Sequence, residues 1–217
     1  MVEGRFVNTP IHGLSLGSQG GFLMDEEELI SRSKDGDVDA FNLLVEQYQR
    51  LVYNLALRML GNAEAAEDAS QDTFLSAYKA IGKFRGGSFK SWVMRIAANS
   101  CHDKLRVSRR YRIVSLDTLL SETDDIPQAN NTESPEDYAL RRELGRFLSE
   151  GLSHLPEDQR LVVVLSDVQG LSYEEVAQVT GSSLGTVKSR LNRGRTRLRD
   201  FLLQREELLP SKFRLNK

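Results

Sequence analysis

Cysteine is nearly absent from this chain: Cys101 is the single one in 217 residues. One thiol excludes an intramolecular disulfide and fits a reducing compartment. Histidine is scarce as well, with only His12, His102 and His154. Zinc takes three or four ligands, so the adjacent Cys101 and His102 lack the company that a metal site needs. No run of about 18 apolar residues occurs, so no membrane insertion is expected. The opening MVEGRFVNTPIHGLSLGSQGGFL lacks a basic stretch followed by an apolar core, unlike a secretion signal. A cytoplasmic location is the simplest reading. Phosphate-binding GxxxxGK loops and HExxH zinc pairs are both missing. Neither a cofactor nor a catalytic centre is expected, and the chain reads as a factor and not an enzyme.

Charge of one sign is also lacking on average, with a net of −2, but the average conceals segregation. Residues 79–110 carry nine Lys and Arg against one acid, residues 111–137 one against seven acids, and residues 186–217 ten against three. Two basic blocks around an acidic strip can each engage phosphates while the whole stays slightly acidic.

What is present is helical patterning. Residues 1–24, rich in Gly and Ser, show no period and read as a disordered leader. From Asp25 the pattern is helical. Acids open a short first helix, and Asp37 can cap a second with Phe41, Leu44, Val45, Tyr48, Leu51, Val52 and Leu55 at helical spacing. Gly61 ends it, and Asn62 can cap a third running to about Ile81, with Ala66, Ala69, Thr73, Phe74 and Ala77 inward. Ser88 can cap a fourth with Phe89, Val93, Ile96, Ala97 and Ser100 inward. Residues 25–111 thus form a first domain. Residues 112–134, acidic and rich in Asn and Ser, read as a flexible linker, longer than compact domains usually contain. Ser134 and Pro135 restart helix, and LPEDQRLVVVLSDVQG continues with one helix from Pro156 to Gly170, its helical flanks outweighing the β-branched Val162–Val164. The fold class is all-α: two small helical domains, the second spanning 135–206, followed by a tail at 207–217.

The segment LSYEEVAQVTGSSLGTVKSRLNRGRTRLR carries the sharpest signal. Ser172 and Glu175 form a capping-box pair, Gly181 breaks a short helix, and a longer basic helix starts near Ser183. This is a helix-turn-helix. An α-helix fits the major groove, where side chains reach base edges. Lys188, Ser189, Asn192 and Arg193, with Thr186 beside them, are candidates for base contacts. Arg190, Arg195, Arg197 and Arg199 suit phosphate contacts that position the helix.

In the first domain, Glu64, Asp68 and Asp72 are four apart and form an acidic stripe with Glu67 and Gln71. Like charges at this spacing are mildly destabilising, and either a cationic partner or a plain solvated face accounts for them. Phe84, Arg85, Gly86, Gly87 and Ser88 form a loop leading to Phe89 and Trp92. Aromatics beside cations suit single-stranded nucleic acid, stacking being worth about 1–3 kcal/mol per base. Phe89 reads as core, while Trp92 suits a core edge or a DNA face. Trp92, Arg95, Asn99 and Asp103 follow one helix face, and Arg106, Arg109 and Arg110 extend the basic surface.

The stretches LPEDQRLVVVLSDVQGLSYEEVAQVTGSSLGTVKSRLNRGRTRLR and EDASQDTFLSAYKAIGKFRGGSFKSWVMRIAANSCHDKLR resemble, in order and spacing, the extracytoplasmic-function sigma factors of bacterial RNA polymerase. That resemblance implies an alternative sigma factor that binds core polymerase at its clamp and flap. It implies clamp binding by Glu64, Asp68, Gln71 and Asp72. Reading of the minus-ten element would fall to Phe84, Arg85, Ser88, Trp92, Arg95, Asn99, Arg106, Arg109 and Arg110. Reading of the minus-thirty-five element would fall to Thr186, Lys188, Ser189, Arg190, Asn192, Arg193, Arg195 and Arg197. Both duplex and single-stranded promoter DNA are then partners, the linker enters the polymerase cleft, and an anti-sigma factor is expected. The competing class is a helix-turn-helix repressor or activator that works without polymerase; a polymerase-binding decoy is another.

Overall fold

The computed structural model describes the backbone of residues 25–112 and 135–205, and side chains of residues 25–108 and 143–205. The leader, most of the expected linker, the tail, and the side chains of Arg109 and Arg110 lie outside the described residues. The described residues form eight α-helices: α1 (Glu26–Lys34), α2 (Val38–Leu60), α3 (Ala63–Ala80), α4 (Phe89–Arg112), α5 (Pro135–Ser153), α6 (Glu157–Val163), α7 (Tyr173–Thr180) and α8 (Leu184–Gln204). Among the described residues there is no strand, and the fold is all-α.

Helix ends follow the chemistry expected of their residues. Asp37 accepts from the amides of Asp39 and Ala40 at the start of α2, and Gly61 ends that helix at φ 71°. Asn62 accepts from Ala65 N at 2.8 Å to open α3. Ser88 accepts from Ser91 N at 3.1 Å to open α4. Such caps satisfy amides that the first helical turn leaves orphaned. One expectation needs correcting. The single helix foreseen between Pro156 and Gly170 is α6 followed by a π-helical turn, Val164–Val168, where Gln169 N bonds back to Val164 O at 3.0 Å. The chain still avoids strand at Val162–Val164, because all three side chains are buried among helices.

The first domain's core joins Phe41, Leu44, Val52, Leu55 and Met59 of α2 to Ala66, Ala69 and Ala77 of α3 and to Phe89, Val93 and Ala97 of α4. Burying each large side chain contributes roughly 1.5–3 kcal/mol. Small alanines on α3 let α2 and α4 approach it closely. The second core unites Leu161–Leu165, Val176, Val179, Val187 and Leu191.

These two cores are continuous with one another. Helix α4 is buried on a second side too, where Met94, Ala98 and Cys101 have 2 % exposure or less. Helix α7 packs against α4 more extensively than against α8, its own neighbour in the chain. Polar groups sew the seam. Arg160 donates to Met59 O at 2.6 Å while also binding Ser153 O and Leu155 O. Its one guanidinium thereby serves carbonyls at the ends of α2 and α5, where helix dipoles favour a cation. Gln169 donates to Leu51 O at 2.9 Å, and His102 lies 3.7 Å from Glu157.

Candidate nucleic-acid interface

The helix-turn-helix comprises α7, the turn Gly181–Ser183 and α8. Ser172 accepts from Glu175 N while Glu175 accepts from Ser172 N, completing the capping box. Gly181 adopts φ 63°, a left-handed conformation that stops α7 without strain on a Cβ. Ser183 caps α8 by accepting from Thr186 N. Val187, Leu191 and Gly194 face inward, so 100° per residue turns the opposite side of α8 to solvent.

The expected DNA-facing residues on α8 fall into two groups. Lys188, Ser189, Asn192 and Arg193 are exposed together on one face, with Thr186 half-buried beside them. Among the described residues Arg193 folds back onto its own helix, toward Ser189 at 3.3 and 3.4 Å. The second group is tied to the protein. Arg190 meets Asp158 at 3.0 Å and Ser182 at 3.0 Å. Arg195 makes a bidentate pair with Asp167 at 2.9 and 2.5 Å. Asp167, then Tyr173, hold its guanidinium above its ordinary pKa. Arg197 donates to Gln159 at 3.1 Å. The acidic and amide partners on α6 and its π turn carried no signal in the sequence, because they lie 28 to 38 residues away from their Arg partners in these pairs.

On α3 Glu64, Asp68, Gln71 and Asp72 all lie at the exposed surface. Sequence reading missed its cross-helix neighbour: Lys104 of α4 reaches Asp72 at 2.9 Å and Asp68 at 3.9 Å. The two carboxylates are thus ordered, yet remain 58 % and 65 % exposed.

The loop between α3 and α4 exposes Arg85, Gly86, Gly87 and Ser88. Both glycines take positive φ, 95° and 89°, which a side chain would strain. Phe84 is a correction: it is 7 % exposed, seated between Phe89 at 5.6 Å and Trp92 at 5.3 Å, with Lys34 over its ring. That placement removes it from any surface a base can reach. Trp92 is half-buried, at the rim of this cluster. Arg95, Asn99 and Arg106 are exposed, and Arg106 pairs with Asp103 at 2.8 Å. Arg95 also borders the helix-turn-helix, its guanidinium 3.4 Å from where a Cβ on Gly181 would lie.

Two family models match the chain: Sigma-70 region 2 over residues 44–111 and Sigma-70, region 4 over residues 148–198. The ECF RNA polymerase sigma factor SigE of Mycolicibacterium smegmatis is 40% identical over 73% of this chain, which spans 60% of that protein. The RNA polymerase sigma-H factor of Pseudomonas aeruginosa is 37% identical, over 78% of this chain and 90% of its own length. This chain belongs to the extracytoplasmic-function sigma factor family. It is an alternative sigma factor, directing transcription initiation. Among solved structures, CnrH in complex with the cytosolic domain of CnrY is 26% identical with a TM-score of 0.60, covering 83% of this chain and 99% of that one. The sigma factor RpoE in complex with the anti-sigma factor NepR from Bartonella quintana is 25% identical with a TM-score of 0.61, covering 75% and 96%. Region 2 of this sigma factor therefore holds α3, the glycine loop and α4, and region 4 holds the helix-turn-helix. Among the described residues no helix is long and apolar enough to cross a membrane.

Proposed function

We propose that this sigma factor grips the polymerase clamp through Glu64, Asp68, Gln71 and Asp72, and reads two promoter elements with separate surfaces. Arg85, Ser88, Trp92, Arg95, Asn99 and Arg106 face the opened minus-ten strand. Arg109 and Arg110, further along the sequence of α4, are assigned to the same promoter element. Lys188, Ser189, Asn192 and Arg193, flanked by Thr186, enter the major groove at the minus-thirty-five element. The observation that carries this reading is the free face of α8: four polar side chains stand exposed together on one side of a capped, buried-backed helix. A helix presented this way can make bidentate base contacts worth about 1–3 kcal/mol each. Arg190, Arg195 and Arg197 hold α8 in place and do not lead the base reading. Exposed cations and the half-buried Trp92 beside a glycine loop suit capture of an unstacked base, which supports a part in promoter melting. The protein works in the cytoplasm without cofactor or catalysis of its own. An anti-sigma factor is its natural antagonist, a reading supported by the RpoE–NepR complex it resembles.

Run-off transcription with core polymerase tests this function. Transcripts from promoters of its own genome should appear only when the protein is added; none on any of them would refute the reading. Asp72→Arg should weaken core binding at least tenfold with its melting temperature little changed, since Asp72 is a surface group. Arg193→Ala should spare core binding and reduce use of the upstream element. A repressor would instead bind its operator without polymerase.

A further inference from the structure

The pairs behind α8 form a ladder. Asp158–Arg190, Gln159–Arg197 and Asp167–Arg195 tie the helix to α6 and the π turn after it, Arg190 and Arg197 on one flank of its buried face and Arg195 on the other. From Arg190 to Arg197 they span seven residues, about 10 Å of helix. Midway lies Gly194, where a Cβ would sit 2.7 Å from Val163 Cγ2. That close approach fixes the separation of α6 and α8. It leaves two freedoms, rotation about the α8 axis and sliding along it, and the three polar pairs remove both. The pair with the strictest geometry is Asp167–Arg195, because a bidentate carboxylate–guanidinium fork fixes direction as well as distance. Asp167 also issues from the π turn, whose Gln169 binds the α2 backbone. This irregular turn is therefore anchored on one side and reaches α8 on the other.

We propose that Asp167, through Arg195, is a positioning residue for sequence reading by region 4: it sets the roll of α8 and so the aim of Lys188, Ser189, Asn192 and Arg193. The inference rests on the proposed role of α8 at the minus-thirty-five element. A roll of 20° moves a side-chain tip about 6 Å from the axis by roughly 2 Å, more than a base-edge hydrogen bond tolerates. The two alternatives differ in sign. If Asp167 were merely a surface acid, removing it would make region 4 more positive and tighten DNA binding of any sequence. If it positions the helix, removing it lowers the preference for the correct sequence.

The test uses holoenzyme assembled from core polymerase and the full chain. The probes are a promoter that the wild-type holoenzyme transcribes and the same promoter with its upstream element scrambled. Asp167→Ala should lower the intact-over-scrambled preference at least fivefold, and Arg195→Asp should do the same. The reversed pair, Asp167→Arg with Arg195→Asp, should return it to within about twofold of wild type. A variant whose region 4 unfolds shows a lowered melting temperature and no recovery in the reversed pair, which separates aim from folding. Arg195→Ala should leave the salt dependence of binding unchanged, since a cation held by Asp167 neutralises no phosphate; a fall of about one unit in that slope overturns the proposal. An unchanged or raised preference in Asp167→Ala overturns it as well, as does a reversed pair no better than either single variant. A wild-type holoenzyme indifferent to the scrambled element refutes the role of α8 itself, a distinct result.

Discussion

Cys101 sits within α4 with no exposed surface, and burial pushes its thiol up to about 12 from 9.0. The thiolate is the reactive form, so at pH 8 its population falls about a thousandfold from that of a free cysteine. The native protein should react with a thiol reagent at least a hundredfold more slowly than the protein in denaturant, measured by thiol release at pH 8; equal rates would refute the burial. Side-chain chemistry was legible in the sequence where it depends on close neighbours in the chain. Asp37, Asn62, Ser88 and Ser172 could each be recognised as caps, because a cap binds amides two or three residues on. The division among α8 cations could not be read that way. Arg193 and Arg195 look alike in a basic run, and only packing against α6 brings Asp167 to one of them. Phe84 failed for the same reason: an aromatic beside Arg85 reads as a stacking platform until Phe89, Trp92 and Lys34 close over it.

Helix α8 owes its seat to a missing side chain. Gly194 lies against Val163 and the Gln159 carbonyl, and a methyl there has no room. Overpacking of this kind costs about 1–3 kcal/mol. Gly194→Ala should therefore lower the melting temperature despite alanine's better helix propensity; a rise would show that α6 yields easily. Periodicity gave each helix and one buried face apiece. It missed the second buried side of α4, because Met94, Ala98 and Cys101 form no stripe in line with Phe89 and Val93. A helix sandwiched between partners is apolar over most of its circumference, and the interruption by Arg95, Asn99 and Asp103 made α4 look one-sided. The π turn was equally hidden, since no residue in Val164–Val168 announces a wider turn than its neighbours.

Region 2 and region 4, as described, are joined tightly. Arg95 of region 2 borders the turn of the region 4 helix-turn-helix, and Arg160 and Gln169 bind α2 across the seam. The two promoter elements are named for positions about 25 base pairs apart, roughly 85 Å of straight duplex at about 3.4 Å per step. A compact body of this size measures only about 40 Å across. Reading both elements at once therefore requires the seam to part. Dyes placed through Gln47→Cys on α2 and Gln204→Cys on α8, both exposed in the closed form, should transfer energy efficiently in the free protein. Efficiency should drop when core polymerase and promoter are added; no drop would mean that the closed form itself engages the promoter.

The internal pairing of Arg190, Arg195 and Arg197 also bears on how the protein spends its time in a cell. Each phosphate neutralised contributes a slope of about −0.9 to the salt dependence of binding. With two of its cations already neutralised by carboxylates, α8 in the proposed role would hold arbitrary duplex several-fold less firmly than its basic sequence suggests. A genome offers millions of non-cognate sites that compete for any sticky helix. Poor general adhesion would leave free molecules in solution to meet polymerase, and would make the encounter with the enzyme, not a slow search along DNA, the step at which abundance is converted into transcription.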